Sequence, residues 1–436
     1  MPKALLQGVV ERLLPGGEAA VRSAHETLLV VNAVPGDILN IRRTEKRRGA
    51  HRGVLESVVK ASAQRVDAAC DVAAACGGCA LQYLDVAAHA ALKSAWVRDA
   101  FGAFFDADSE WITIDESPEF SSRPGTRRRA RWHRGEDSAG VFLGFRARAS
   151  HAVVRTKKCM IVHAQMDVLR FQIERLLPED VHAVQMVCLH DGMHVIFESK
   201  KTDVRAGAEC LEPCLAVLKA DERVQPWWRG PTTIRALKNP VCMLHDRLSA
   251  GEKWVELAVG PDDFIQGQEA GNRQMLRQLQ AWAGSARRIV DLFCGIGNLS
   301  LPLAAAVHSE TGAKASVEVR GADMAATSIR QAQYNARKLG VTAHFEAVNL
   351  FADFRVEDYA GADVLILDAP RKGAKAVCRN IGRLLPETIV MVNCDIASGA
   401  RDAAALHAQG YRLRALRAFD LFPFSGHVEA MSWWGR

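Results

Sequence analysis

The chain has 436 residues, nearly three times a folding unit of about 150 residues, which provides for two or three domains with buried cores. Hydrophobic residues make up 49% and charged residues 24%, which excludes a disordered chain, and 56 basic minus 50 acidic residues leaves a formal charge of +6. The most apolar stretch, residues 289–307, is interrupted by Asp291, Asn298 and Pro302, so no membrane span is expected. The opening Met-Pro-Lys-Ala-Leu-Leu-Gln lacks the apolar run of an export signal, so a cytoplasmic protein is expected. Its eleven cysteines, an odd number, then read as reduced thiols or metal ligands.

Residues 1–60 read as short strands at Leu5–Leu14, Ala19–Arg22, Leu28–Ala33, Asp37–Thr44 and Gly53–Lys60. Pro15-Gly16-Gly17 and Pro35-Gly36-Asp37 punctuate them at the spacing of a small OB-like barrel. Residues 61–255 are mixed, with helical spacing from Asp85 to Phe105 and strand-like runs at Val141–Phe145, His151–Val154, Ala183–Cys188, His194–Glu198 and Trp254–Val259. An α+β domain beside a cysteine cluster is predicted there.

Residues 256–436 alternate strand and helix. Strands are expected to end at Asp291, Asp323, near Asn349, at Asp368 and at Cys394, with helices such as Ala325–Leu339 between them. That order implies a parallel, doubly wound Rossmann-like sheet, and the polar residues just named fall at the carboxyl ends of its strands, where such sheets bind ligands.

Charge is clustered along the chain. Six Lys or Arg lie between Arg42 and Arg52, and six Arg without an acid lie between Arg123 and Arg134. Such runs are the electrostatic footprint of phosphate binding and point to RNA or DNA.

Cys70, Cys76 and Cys79 form C-x5-C-x2-C, with Gly77 and Gly78 permitting a tight fold of backbone around a bulky centre. Cys159 completes four thiolates, a set that suits either an iron–sulfur cluster or tetrahedral zinc. Cys188, Cys210, Cys214, Cys242 and Cys378 read as core or incidental thiols.

Asp291-Leu292-Phe293-Cys294-Gly295-Ile296-Gly297-Asn298 closes an apolar strand with a glycine turn into a helix. Asp323, at the next strand end, is placed to accept hydrogen bonds from ribose hydroxyls. A dinucleotide would prefer the fuller G-x-G-x-x-G, from which Asn298 and Ser300 depart, so the shorter turn fits S-adenosylmethionine, which has no phosphate to cradle. Asp368-Ala369-Pro370-Arg371, Asn393-Cys394-Asp395 and His427-Val428-Glu429 bring a carboxylate, a thiol and a second carboxylate toward the same sheet edge.

The ordered set C-x5-C-G-G-C-x2-Q from Cys70 to Gln82, Phe264-x-Gln266, D-L-F-C-G-I-G-N from Asp291, D-A-P-R-K-G from Asp368, Asn393-Cys394-Asp395 and F-P-x-x-x-H-V-E from Phe422 resembles the RNA uracil-5 methyltransferase family. More narrowly it resembles the iron–sulfur branch, which methylates bacterial large-subunit (23S) ribosomal RNA. The resemblance spans nearly the whole chain, since residues 1–60 also resemble the family's TRAM barrel and Arg127–Cys159 its central domain. It implies a four-iron, four-sulfur (4Fe-4S) cluster on Cys70, Cys76, Cys79 and Cys159. It implies S-adenosylmethionine contacts from Gln266, Phe293, Asn298, Asp323, Asn349 and Asp368, a class I methyltransferase domain, Cys394 as nucleophile and Glu429 as base. The cluster is expected to serve structure or RNA recognition, and no obligate protein partner is evident. This chain departs from the family where it has Ala369, Asn393, Asp395 and Phe424.

The implied chemistry suits those residue types. Carbon 5 of uracil is a poor nucleophile until a thiolate adds at carbon 6, and a base must then remove the carbon-5 proton. Methylation of an exocyclic amine would need no cysteine. Two other readings are the same reaction on transfer RNA and a noncatalytic RNA-binding factor that kept the fold.

Overall fold

The computed structural model describes residues 5–44, 51–117, 124–201, 209–311, 317–352 and 355–436. Lys46, Arg47, Arg48 and Arg123, which belong to the two basic runs, lie outside the described residues.

Strands β1 (Leu5–Leu13), β2 (Ala19–Ser23), β3 (Thr27–Val30), β4 (Ile38–Arg43) and β5 (His51–Lys60) close into a barrel in the order β1-β2-β3-β5-β4. Alternation drives it: Val10, Leu13, Val21, Leu28, Val30, Leu39 and Ile41 point inward and are buried. A register shift between Val10 and Arg12 helps the first strand curve toward closure. Asp37 locks the turn before β4: its carboxylate accepts from the Val34 amide at 2.7 Å, the Ser62 amide at 2.9 Å and the Arg65 guanidinium at 2.7 Å.

The second sheet contains β7 (Arg129–Asp137), β8 (Gly140–Arg146), β9 (Val153–Val154), β10 (Val181–Cys188), β11 (Met193–Ser199), β12 (Val224–Arg229) and β13 (Ile234–Ala236), in the order β13-β12-β11-β10-β7-β8-β9. A hairpin of β14 (Leu244–Ala250) and β15 (Lys253–Val259) follows.

The third sheet has eight strands. Its parallel part is β16 (Arg288–Leu292), β17 (Glu318–Asp323), β18 (Thr342–Ala347), β19 (Val364–Ala369) and β20 (Thr388–Asn393), continued by β21 (Arg412–Phe419), β22 (Glu429–Gly435) and β6 (Glu110–Ile112). The order is β18-β17-β16-β19-β20-β22-β21-β6, with β22 antiparallel to both β20 and β21. The expected alternation of strand and helix is therefore present, but the sheet is mixed: the final hairpin turns the chain back beside β20 and so carries Glu429 to the strand end next to Cys394. Three apolar strands buried on both faces, β16, β19 and β20, explain the near-continuous hydrophobic runs of this region.

Two pieces of residues 61–255 pack away from the second sheet. The helix His89–Phe101 buries Trp96, Val97 and Phe101 in the same core as Leu406, Tyr411 and Leu413, and β6 pairs with β21. Trp96 also donates its indole N–H to the Leu13 carbonyl at 3.0 Å, so this helix joins the barrel to the third sheet. Among the described residues, no helix is long and apolar enough to cross a membrane.

Candidate active site

The cleft at the carboxyl ends of β16, β17, β19 and β20 encloses about 470 Å³. Gln266, Phe293, Asn298, Asp323, Asp368, Cys394 and Glu429, all named from the sequence, line it together. Asn349 does not: it is exposed, and its carboxamide oxygen accepts from the Phe351 amide at 3.1 Å, closing its own turn, while its neighbours Val348 and Leu350 face the cavity. A position next to a strand end was legible; which member of the following loop points inward was not.

The glycine turn works through backbone geometry. Phe293, Gly295 and Gly297 have φ of 70°, 53° and 86°, in the left-handed region where glycine carries no Cβ penalty. This curl lets the Phe293 and Cys294 amides reach the Ala322 carbonyl at 2.8 and 3.1 Å, and the Gly295 amide donate to Asp323 Oδ2 at 3.1 Å. Asp323 Oδ1 accepts from the Ala325 amide, which aims the carboxylate across the cleft. Asn298 is held by reciprocal amide hydrogen bonds with Asn272, at 3.0 and 3.1 Å. Asn272 escaped the sequence reading because it sits inside an otherwise ordinary amphipathic helix, Glu269–Ala283.

The lining is acidic. Asp291 is buried, and its Oδ2 accepts from Ser300 Oγ at 2.6 Å while Oδ1 has no partner among the described residues. Burial pushes the Asp291 carboxyl up to about 7, with Asp323 adding to the shift. Asp368, which receives a long 3.4 Å hydrogen bond from Gln266 Nε2, is pushed up to about 7 by burial and then by Asp291. Glu429 is buried and held well above the carboxylate range by burial and by Asp368, with Arg371 opposing. Cys394 is pushed up to about 12, by burial first and then by Glu429 and Asp368, again against Arg371. Four carboxyls, Asp291, Asp323, Asp368 and Glu429, and two thiols thus share an enclosure in which Arg371 is the one cationic side chain among the described lining residues, an arrangement that a cationic ligand would relieve.

Apolar residues complete the cleft. Phe264, Met324 and Phe351 are 60%, 65% and 41% exposed although large and hydrophobic, and all three line the cavity. Of these only Phe264 appeared in a sequence motif; the other two follow polar strand ends and carry no periodic signal.

Cys394 also borders a second cavity of about 770 Å³, between the β1–β2 turn of the barrel, the helix His89–Phe101 and residues 394–397 and 426–428. The thiol therefore stands in the wall between two cavities.

Cys70, Cys76, Cys79 and Cys159 surround a third, smaller cavity of about 120 Å³ with Gln82, Arg127 and Met160. Among the described residues, no three or more His, Cys, Asp or Glu converge as the ligands of a metal ion. The four thiols nevertheless face a common space. Of the remaining cysteines, Cys188, Cys214 and Cys378 are buried, Cys242 is half-buried and Cys210 is exposed. Cys294, which the sequence reading left without a role of its own, is buried and lines the main cleft.

The described part of the basic runs is mostly paired within the protein. Arg128 is buried against Asp246, Arg129 donates to the Asp263 carbonyl at 2.9 Å and Arg131 chelates Glu198. In the barrel, Arg42 pairs with Glu56 and Arg52 with Glu18. The run at Arg127–Arg134 is thus largely a strand of the second sheet rather than a loop of free cations. Sequence carries the sign of a charge but not its distant partner.

The profile described as tRNA (Uracil-5-)-methyltransferase matches residues 236–436. The chain is 30% identical over 434 residues to the 23S rRNA (uracil(1939)-C(5))-methyltransferase RlmD of Pseudomonas aeruginosa strain UCBPP-PA14, covering 97% of this chain and 92% of that protein. It is 30% identical over 452 residues to the RlmD of Halomonas elongata, covering 97% and 88%. Its fold is similar to that of the Pyrococcus abyssi tRNA (uracil-54, C5)-methyltransferase in complex with S-adenosyl-L-homocysteine, with a TM-score of 0.72, 20% identity and coverage of 98% and 99%. With that identity sustained from barrel to final hairpin, the chain belongs to the RNA (uracil-5-)-methyltransferase family.

Proposed function

We propose that the protein transfers a methyl group from S-adenosylmethionine to carbon 5 of a uridine in 23S ribosomal RNA. The observation that carries this reading is Cys394 in the wall between an acidic, aromatic-rimmed cleft and a second cavity bordered by the barrel. The first suits a cationic nucleoside and the second an incoming nucleotide. The relatives named as acting on 23S rRNA support the choice of ribosomal over transfer RNA.

S-adenosylmethionine, when bound, supplies an electrophilic methyl on a cationic sulfur. Gln266, Phe293, Asn298, Asp323 and Asp368 bind and orient it, while Asn349 shapes the loop that bears Val348 and Leu350. Cys394 Sγ adds to carbon 6 of the uracil, the C5=C6 pair moves into an enolate, and carbon 5 takes the methyl as the carbon–sulfur bond breaks toward sulfur. Glu429 then removes the carbon-5 proton; the released pair re-forms C5=C6 and expels Cys394 as a thiolate. Burial and then Glu429 and Asp368 hold Cys394 protonated, whereas Arg371, which opposes that shift, and a bound cation both favour the thiolate. The target uridine must leave its stack to reach Cys394, and the barrel borders the path it would take.

Cys70, Cys76, Cys79 and Cys159 would hold a 4Fe-4S cluster, since four thiols around one cavity suit a polynuclear centre better than a single ion needing sulfurs at about 2.3 Å. Such a cluster supplies a covalent tie between segments far apart in sequence. In this reading residues 1–60 grip RNA, 61–255 carry the cluster and 256–436 transfer the methyl group.

The test offers labelled S-adenosylmethionine and anaerobically purified protein to unmodified 23S rRNA and unmodified tRNA separately, with nucleoside analysis. Label as 5-methyluridine in 23S rRNA, lost in Cys394→Ala, is expected. Label only in tRNA overturns the substrate, and no label in either despite bound cofactor overturns the catalytic reading.

A further inference from the structure

The segment from Asp420 to Val428, which leads into Glu429, is held by parts of the chain remote in sequence: Gln268 Nε2 donates to the Leu421 carbonyl at 2.9 Å beside the cofactor cleft, and three further anchors come from other directions. From the helix His89–Phe101, the wholly buried Lys93 ammonium donates to Asp420 Oδ1 at 2.7 Å and to the Phe422 carbonyl at 2.9 Å. From the cysteine segment, the Ala80 and Leu81 amides, directly after Cys79, both donate to the Phe424 carbonyl, at 2.9 and 2.8 Å. From the barrel, the Gly16 amide donates to the Gly426 carbonyl at 2.8 Å.

These anchors meet. A Cβ on Gly426 would collide with the backbone of Gly16 and Gly17, and a Cβ on Gly17 would collide with Ala80. Phe424 adopts φ of 57°, a conformation a bulky residue holds only when its surroundings impose it. Its carbonyl takes both amides of the cysteine segment, its ring meets His89 edge-on at 5.5 Å, and it packs against the same core as Cys79 and Cys159. Within the segment, Ser425 Oγ donates to the Phe422 carbonyl and accepts from the His427 amide, so the path from Phe424 to His427 is braced at each step.

We infer that residues 420–428 are a strap through which the cysteine centre and the barrel set the position of Glu429, making Lys93 and Gly426 positioning residues for proton removal. The inference rests on the proposed roles of Cys394 and Glu429. Glu429 begins β22 and pairs with Phe419 of β21, so the sheet holds the chain from Glu429 onward and the strap holds the chain that leads into it. Slack in the strap moves the carboxylate away from the carbon-5 proton, while the hydrogen bond from Gln268 Nε2 to the Leu421 carbonyl at 2.9 Å keeps the cofactor side of the segment in place. Addition and methyl transfer then proceed, and elimination stalls. The cysteine centre acts on the reaction through this contact, with no electron passing to the methyl step.

The experiment uses full-length, anaerobically purified Lys93→Met and Gly426→Ala proteins, which loosen two different anchors, beside Cys79→Ser. Four quantities are read: cofactor affinity by calorimetry, 5-methyluridine formation, protein–RNA adduct surviving denaturation, and hydrogen exchange along the strap. Expected are a cofactor Kd within about twofold of the parent, turnover reduced on the order of 10- to 100-fold, and adduct accumulating as turnover falls. Hydrogen exchange at residues 420–428 should rise in all three. If Lys93→Met does not fold, Gly426→Ala decides alone. Unchanged turnover in Gly426→Ala, or reduced turnover without adduct, overturns the strap. Methylation persisting in Cys394→Ala overturns instead the reading of the site on which the strap depends.

Discussion

Arg128 and Asp246 form a buried, two-pronged ion pair, at 2.6 and 3.1 Å, that joins the second sheet to the β14–β15 hairpin directly behind the cofactor cleft. The same guanidinium donates to the Gln266 carbonyl at 3.2 Å, and the Arg128 amide to the Gly267 carbonyl at 2.9 Å. An arginine taken from a basic run is thereby the support of a cofactor residue. Removing one partner strands a buried charge, so Arg128→Met is expected to cost about 3–5 kcal/mol of unfolding free energy. Denaturant titration should show it, with Arg128→Met/Asp246→Leu recovering part of the loss.

Glu429→Gln separates the two halves of the proposed reaction. With the base gone but Cys394 in place, adduct should form on 23S rRNA and persist through denaturation, while release of 5-methyluridine falls on the order of 10²- to 10⁴-fold. A gel assay for RNA-linked protein reads the first quantity and nucleoside analysis the second. Cys394→Ala should show neither adduct nor product.

The raised carboxyls predict how cofactor affinity depends on pH. Asp291 and Asp368, pushed up to about 7, are largely protonated at pH 6 and ionised at pH 8. A cation binds the ionised form, so affinity for S-adenosylmethionine should rise from pH 6 to about 8 and then level. The neutral thioether product should respond less. The linked stability runs the other way in the ligand-free protein: these carboxyls hold protons more tightly folded than unfolded, so stability falls as pH rises from about 4 to 7 and is flat above. Calorimetry and thermal denaturation across that range check both signs.

Gly297→Ala tests the glycine turn. At φ of 86° an alanine is strained by about 1–3 kcal/mol, and its Cβ would meet Leu301 Cδ1 at 2.6 Å. Relief requires the turn to open toward the cleft, so cofactor affinity should fall about tenfold or more. Equilibrium binding measures it directly.

The four-cysteine cavity predicts metal content. Anaerobic protein should carry iron and acid-labile sulfide, and serine at Cys70, Cys76, Cys79 or Cys159 should deplete both. Zinc without sulfide in the parent protein would identify a mononuclear site instead.

Residues 1–60 and 256–436 were legible because their signals are local: alternation with period two, glycine turns after apolar runs, and polar residues closing each strand. The arrangement of β16 to β20 and the gathering of Asp323, Asp368 and Cys394 follow from that pattern and from the rule that ligands lie at strand ends. Motif resemblance added Gln266, Phe293, Asn298 and Glu429, which also face the cleft, and Asn349, which does not.

Other features depend on meetings that no neighbouring residues announce. Lys93 finds Asp420 across 327 positions, β6 adds itself to a sheet formed mostly by residues beyond 288, and the Arg127–Arg134 run becomes a strand whose cations are mostly engaged by the protein itself. Turn chemistry and periodicity are written among residues a few positions apart, so the order of the amino acids carries the elements, the cleft they form and the groups at its floor. The partner of a buried charge, the edge an isolated strand joins and the direction a loop side chain takes depend on which surfaces pack together, a long-range outcome that no local stretch of chain encodes.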